Sequence, residues 1–301
     1  MLRHNTKAGK ARVVGINNQE AKVEGLSITG GNLETVWEKG LAVKIGTQGG
    51  TLSKCRVTGN VFPTLGVEGV VFVDYSAAIG GIGRIENCII DNNSHWSYQY
   101  YQTGGGLLLN GGVARNCLLF GNVGCQYGGI GVFGPATVQN CTVVSNVVQC
   151  GKGSTSTSGA GGINFATSST GARIENCIFA FNRYGNEPSD FLACGSEAVT
   201  NAANAAISAC LFTDGSEAGA NQIMGLPVFR KIGATAVDGN WRLRSRSPGY
   251  KTGLYDASWM ADGVDFYGEP RTKHEGPQGP VVDIGAAEAD WRGSGLTILV
   301  W

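Results

Sequence analysis

The sequence predicts an all-β chain, a parallel β-helix of about seven or eight coils, and three observations predict it. Glycine supplies 48 of the 301 residues, well above the usual share of about 7%, with no collagen period. A short unit built around cysteine and asparagine recurs at intervals of 24 to 36 residues. A glycine-led apolar strand precedes most of these units. Together they describe short strands, tight turns and loops of variable length, with each coil burying its inner side chains on the next.

The units run in order. A first copy without cysteine is "VEGLSITGG" (23–31). Then come "LSKCRVTGN" (52–60), "IENCIIDNN" (85–93), "ARNCLLFGN" (114–122), "VQNCTVVSN" (138–146), "IENCIFAFN" (174–182) and the decaying "ISACLFTDG" (207–215). The paired strands are "GLAVKIG" (40–46), "GVVFVD" (69–74), "GGLLLN" (105–110), "GGIGVF" (128–133) and "GGINFA" (161–166). Apolar residues blur their period of two, as in parallel sheets with buried faces.

Stacking the units aligns Cys55, Cys88, Cys117, Cys141, Cys177 and Cys210 in one internal column. Five residues later it aligns Asn60, Asn93, Asn122, Asn146 and Asn182. These asparagines are expected at a turn, where Asn tolerates left-handed dihedrals and its amide bonds the neighbouring coil. The cysteines are expected as small core hydrophobes. A metal site is not indicated, because no CxxC pair occurs and the chain has three histidines. Cys125 and Cys150 lie in corresponding loops of adjacent coils and form a candidate disulfide.

Charge excludes some functions. Charged residues make up 15% of the chain and formal net charge is zero, so no basic footprint for nucleic acid exists. No apolar run is long enough to span a membrane. The first fifteen residues lack the apolar core of a signal peptide, which leaves open a mature fragment of a longer precursor.

The NCxxxxN units with their preceding glycines resemble the right-handed parallel β-helix repeats of secreted bacterial surface proteins within the pectate-lyase-like superfamily. "LPVFRKIG…GNWRLRSRSPGYKTG" (226–253) and "DGVDFYGEPRTKHEGPQGPVVDIGAAEAD" (262–290) are similar to C-terminal segments of choice-of-anchor proteins. The resemblance covers roughly residues 20 to 290. It implies a right-handed helix and a secreted or cell-surface location; attachment to other domains and a monomer are further expectations. Such families include polysaccharide lyases, surface proteins and β-helical xylan-binding modules attached to enzymes.

The domain expectation follows: residues 1–20 a cap or linker remnant, 21–219 the coils, and 220–301 a segment packed against them. The residues one and three after the cysteines, such as Leu118, Ile178, Leu211, Phe120 and Val144, would form an exposed apolar stripe on a bare helix. The C-terminal segment is expected to cover it, with Trp241 in that core.

The expected function is polysaccharide binding. Loops after the ladder asparagines leave one edge, and they carry Trp96, Tyr98, Tyr100, Tyr101, Gln126, Tyr127, Lys152 and Tyr184. Flat rings stack on the apolar faces of pyranoses, and amides bond their hydroxyls. The competing expectation is that these rings fold back to shield the glycine-rich edge. An enzyme of this fold needs clustered carboxylates for Ca²⁺ and a base, or a carboxylate pair about 6.5–9.5 Å apart. The best such constellation is Asp74, Arg84, Asp91 and His95 of one coil, with solvated surface charges as the alternative. No cofactor is expected. Aspartates gather at Asp256, Asp262, Asp265 and Asp283; a structural Ca²⁺ would draw on "DASWMADGVD" (256–265) and its backbone carbonyls, while Asp283, in "VDIGAAE", is expected to make turn and cap hydrogen bonds.

Overall fold

The structure is a computed structural model. It describes residues 2–3, 12–31, 39–62, 71–74, 82–95, 104–149, 159–166, 169–185, 187–188, 191–193, 205–213, 221–272, 274–277 and 279–289.

Each coil has four faces, taken here in chain order. In the third coil they are Val71–Val73 (face I), Gly83–Glu86 (face II), Ile89–Asp91 (face III) and Ser94–His95 (face IV). Stacked coil on coil, these give sheets of seven, seven, eight and six strands. Every pairing within them is parallel except one hairpin at the end of face IV. The fold is a right-handed parallel β-helix. Val14–Ile16 is already a strand of face I, paired with Val43–Ile45, so stacked strands begin inside the stretch that the sequence assigns to a cap.

Register explains the blurred apolar pattern. On face I, Val43, Val71, Leu107, Ile130 and Ile163 form one column, and Ile45, Val73, Leu109, Val132 and Phe165 another. Both columns belong to the central core. Face II contributes Leu52, Ile85, Ala114, Val138 and Ile174. Face III contributes Val57, Ile90, Leu119, Val143 and Phe179. At the far end Phe179 and Phe212 stack with centroids 4.9 Å apart. Each coil is too thin to bury these side chains alone, so stability accumulates by stacking.

The cysteines stack in the core as expected, all six buried. Each thiol reaches back to a carbonyl of the preceding coil, as Cys88 does to Leu52 and Cys117 to Ile85. Burial pushes the Cys117 and Cys177 thiols well above the ordinary thiol range.

The asparagine ladder is continuous over five coils. Asn60, Asn93, Asn122 and Asn146 each donate an Nδ2 hydrogen to the Oδ1 of the next asparagine at 2.9–3.0 Å, ending on Asn182. Each Oδ1 also accepts the backbone N–H of the asparagine before it. The second amide hydrogen goes to a core carbonyl, for example Asn122 to Ile90 O. All five side chains are buried and fully used.

One detail differs from expectation. The ladder asparagines do not adopt the left-handed conformation. The residue before each one does: Gly59, Asn92, Gly121, Ser145 and Phe181. A second left-handed turn precedes each cysteine, at Lys54, Asn87, Asn116, Asn140, Asn176 and Ala209. Asparagine therefore serves two purposes, turning the chain before cysteine and bonding the coils after it.

The C-terminal segment lies on face III, as predicted. Phe229, Trp241, Leu243 and Ile284 pack on Leu118, Phe120, Val144, Ile178 and Leu211 in a second core. Trp241 meets Phe120 at 5.3 Å and Phe229 at 5.4 Å, and its Nε1 donates to Ala236 O. The segment is held by the turn asparagines. Asn116 donates to Val264 O, Asn140 to Asp283 O, and Asn176 binds both N and O of Leu254. Arg271 and Glu288, both buried, meet at 2.6 Å, and Arg271 also bonds Asn116, Gly285 O and Ala286 O. No helix among the described residues is long and apolar enough to cross a membrane.

Candidate functional site

The edge following face IV is the site the sequence proposes. Trp96, Tyr98, Tyr100, Tyr101, Lys152 and Cys150 lie outside the described residues. Tyr184 closes a face IV strand and is half-buried, in the same column as Val148. Gln126 follows the face IV strand Val123–Gly124, two coils before Tyr184, and its backbone carbonyl accepts from Ala160 N and Asn164 Nδ2. Cys125 is buried.

Tyr127 corrects the expectation. Its side chain is fully buried, so its ring offers no face to a sugar. It folds back over face I and joins Phe72, Leu108 and Phe133 in a small outer core. The glycines explain why the ring fits. A Cβ at Gly131 would sit 2.7 Å from the Tyr127 ring, and one at Gly104 would overlap it. For this residue the shielding expectation holds.

The proposed catalytic constellation is not assembled. Asp74 directly follows the face I strand, Arg84 lies in face II, Asp91 in face III and His95 in face IV. Four faces of one coil point four ways. Asp91 and His95 are also buried rather than solvated. Asp91 receives both ends of the Arg56 guanidinium, at 2.9 and 2.6 Å. That interaction holds Arg56 above its ordinary pKa. Asp74 borders a separate cavity of about 310 Å³ with Arg12 and Lys44, and accepts from Asn110 at 3.2 Å.

The C-terminal carboxylates serve the backbone. Asp265 accepts from Tyr267 N, Glu269 N and Glu288 N. Asp283 accepts from Lys251 N and Ala289 N. Asp256 caps the short helix Ala257–Met260, and the Ser258 hydrogen bonds lower its pKa. Among the described residues no group of three or more His, Cys, Asp or Glu is placed to hold a metal ion.

A groove that sequence reasoning missed opens where the C-terminal segment meets the turns before cysteine. It consists of two adjoining cavities of about 360 and 300 Å³, which share Asn87 and Val264. The first is lined by Lys54, Arg56 and Ile89 from the coils and by Phe266 and Tyr267 from the segment. The second is lined by Glu86, Arg115 and Asn116 from the coils and by Trp259 and Asp262 from the segment.

The groove's aromatic groups are half-exposed, unlike those of the cores. Trp259 is carried by the capped helical turn and lies with the Arg115 guanidinium 4.8 Å from its ring. Tyr267 keeps 36% exposure. One face is covered by Arg242 at 4.0 Å, and its hydroxyl accepts from Trp241 N. Burial, then the neighbouring Arg84, hold Arg115 below its ordinary pKa, while Glu86 and Asp256 oppose the shift. Arg115 donates Nε to Gln139 at 2.8 Å. Two polar atoms in the groove wall, Asn87 Oδ1 and Trp259 Nε1, are shielded from solvent and meet no hydrogen-bond partner among the described residues.

Partly exposed rings, amides and charged groups of both signs along a groove suit a hydroxyl-rich ligand. No protein-family model matches this chain, and neither a curated protein nor a solved structure does so.

Proposed function

We propose that this protein is a non-catalytic carbohydrate-binding module for a linear polysaccharide, xylan or a similar plant cell-wall glycan. In this reading it works as part of a larger secreted enzyme. The observation that carries the reading is the groove between the C-terminal segment and the turns before cysteine. Its half-exposed Trp259 and Tyr267 stand beside side chains that donate and accept hydrogen bonds.

A lyase or hydrolase is the second reading, and the dispersal of Asp74, Arg84, Asp91 and His95 over four faces weighs against that constellation. A passive surface stalk has no use for half-exposed rings gathered in a groove.

Affinity electrophoresis against xylan, mixed-linkage glucan, pectin and alginate tests the proposal. The parent is compared with Trp259→Ala, Tyr267→Ala and Trp96→Ala. Retardation by a neutral glycan that Trp259→Ala abolishes, with no unsaturated uronate and no new reducing ends, is the expected result. Retardation lost only in Trp96→Ala would move the site to the edge after the ladder asparagines. Product formation would favour the enzyme reading.

A further inference from the structure

We infer that the groove holds a neutral linear glycan in two adjoining subsites, one on each side of Val264, with Asn87 as the recognition residue at their junction. The inference rests on the carbohydrate-binding reading and specifies its ligand.

Three observations carry it. The first is the groove's direction. Lys54, Asn87 and Asn116 occupy the same left-handed turn of three successive coils, and the two cavities follow them. Successive coils are about 4.8 Å apart. A pyranose linked through opposite carbons advances by a similar length, so one ring per coil keeps a chain in step with the protein.

The second is the behaviour of the turn asparagines. Asn116, Asn140 and Asn176 all use their side-chain amides to grip the C-terminal backbone. Asn87 has the same turn and the same conformation, with φ 55°, yet its Oδ1 has no partner among the described residues. At Asn87 the column faces the groove. An unpaired shielded acceptor carries a penalty of about 1–3 kcal/mol. A small rotation of the carboxamide presents it to a ligand hydroxyl and removes that penalty.

The third is charge. Lys54 is paired with Glu24 at 3.0 Å and Arg56 with Asp91 at 2.6 Å. The second cavity is lined by one cation, Arg115, and two carboxylates, Glu86 and Asp262. No net positive charge remains to receive a carboxylate on every ring, so a polyuronate is disfavoured and a neutral chain is accommodated.

Isothermal titration of the full chain tests this, with xylo-oligosaccharides, cello-oligosaccharides and oligogalacturonides from single sugars to hexasaccharides. For one neutral series, affinity is expected to rise steeply from one ring to a length that fills both cavities, and then to level off. Asn87→Ala is expected to weaken the longer ligands about tenfold, the loss of one buried hydrogen bond. Trp259→Ala is expected to abolish binding at every length, as it abolishes retardation by the polymer. Circular dichroism melts confirm that each variant is folded. Affinity independent of length, or unaltered by Asn87→Ala, would overturn the two-subsite inference while leaving carbohydrate binding in place. Tighter binding of oligogalacturonides would overturn the neutral-ligand assignment. No binding in any series would remove the functional reading itself.

Discussion

Asn93 Nδ2 donates to Asn122 Oδ1 at 2.9 Å, and the backbone N–H of Asn93 donates to the same oxygen at 3.1 Å. One carboxamide thus satisfies two donors of the coil before it. Its own Nδ2 serves Ile90 O and Asn146 Oδ1. Removing it breaks the chain on both sides. Asn122→Ala is expected to destabilise the protein by roughly 3–5 kcal/mol, since several buried polar groups lose partners at once. Denaturant unfolding, compared with the exposed change Gln19→Ala, measures the loss.

Gly131 and Tyr127 make a coupled pair. A methyl at Gly131 would lie 2.7 Å from the Tyr127 ring. Gly131→Ala is expected to cost about 1–3 kcal/mol by overpacking. In a Tyr127→Ala background the same change is expected to cost much less. A double-mutant cycle with a coupling near zero would mean that the ring moves aside freely.

The buried Arg271–Glu288 pair joins two stretches of the C-terminal segment, and Arg271 links them to Asn116 of the coils. Burial pushes the Glu288 carboxyl up to about 7, and Arg271 limits the rise. A raised carboxylate pKa means that the folded state holds the proton more tightly than the unfolded chain. The stabilisation is fully present below the ordinary carboxylate pKa and is lost as pH rises to about 7. Stability is therefore expected to fall by roughly 2–4 kcal/mol between mildly acidic and neutral pH. Glu288→Gln is expected to flatten this dependence. Unfolding midpoints measured across that range, parent against variant, check the sign.

The core thiols are expected to be inert. Cys117 and Cys177 are buried in the column with thiol pKa values pushed up by burial. Alkylation mapped by mass spectrometry is expected to leave Cys55, Cys88, Cys117, Cys141, Cys177 and Cys210 unmodified in the native protein and to label all six after denaturation.

The coil architecture was legible because its signals are local and repeated. Cysteine and asparagine keep a spacing of five whatever the loop length, and stacking turns that spacing into two columns. The covered stripe was legible too, since Leu118, Ile178 and Leu211 are too apolar for a bare face. Which residue takes the left-handed turn was not. Gly59, Gly121 and Ser145 share that role with Asn92 and Phe181, and no single residue type marks it. Tyr127 misled because a ring beside glycines fits either an exposed platform or a packed lid, and only the space over Gly131 decides. The groove was invisible because it depends on distant partners. Asn116 and Val264, which brace its wall, are 148 residues apart.

Hydrogen–deuterium exchange of the full chain, with and without soluble arabinoxylan, tests the placement of the glycan most directly. Protection is expected in peptides covering residues 84–89, 113–118 and 257–268, and it should be absent in Trp259→Ala. Saturating arabinoxylan that leaves these three stretches unprotected, or that protects the loops around residues 96–101 and 150–158 instead, would contradict a glycan lying in the groove.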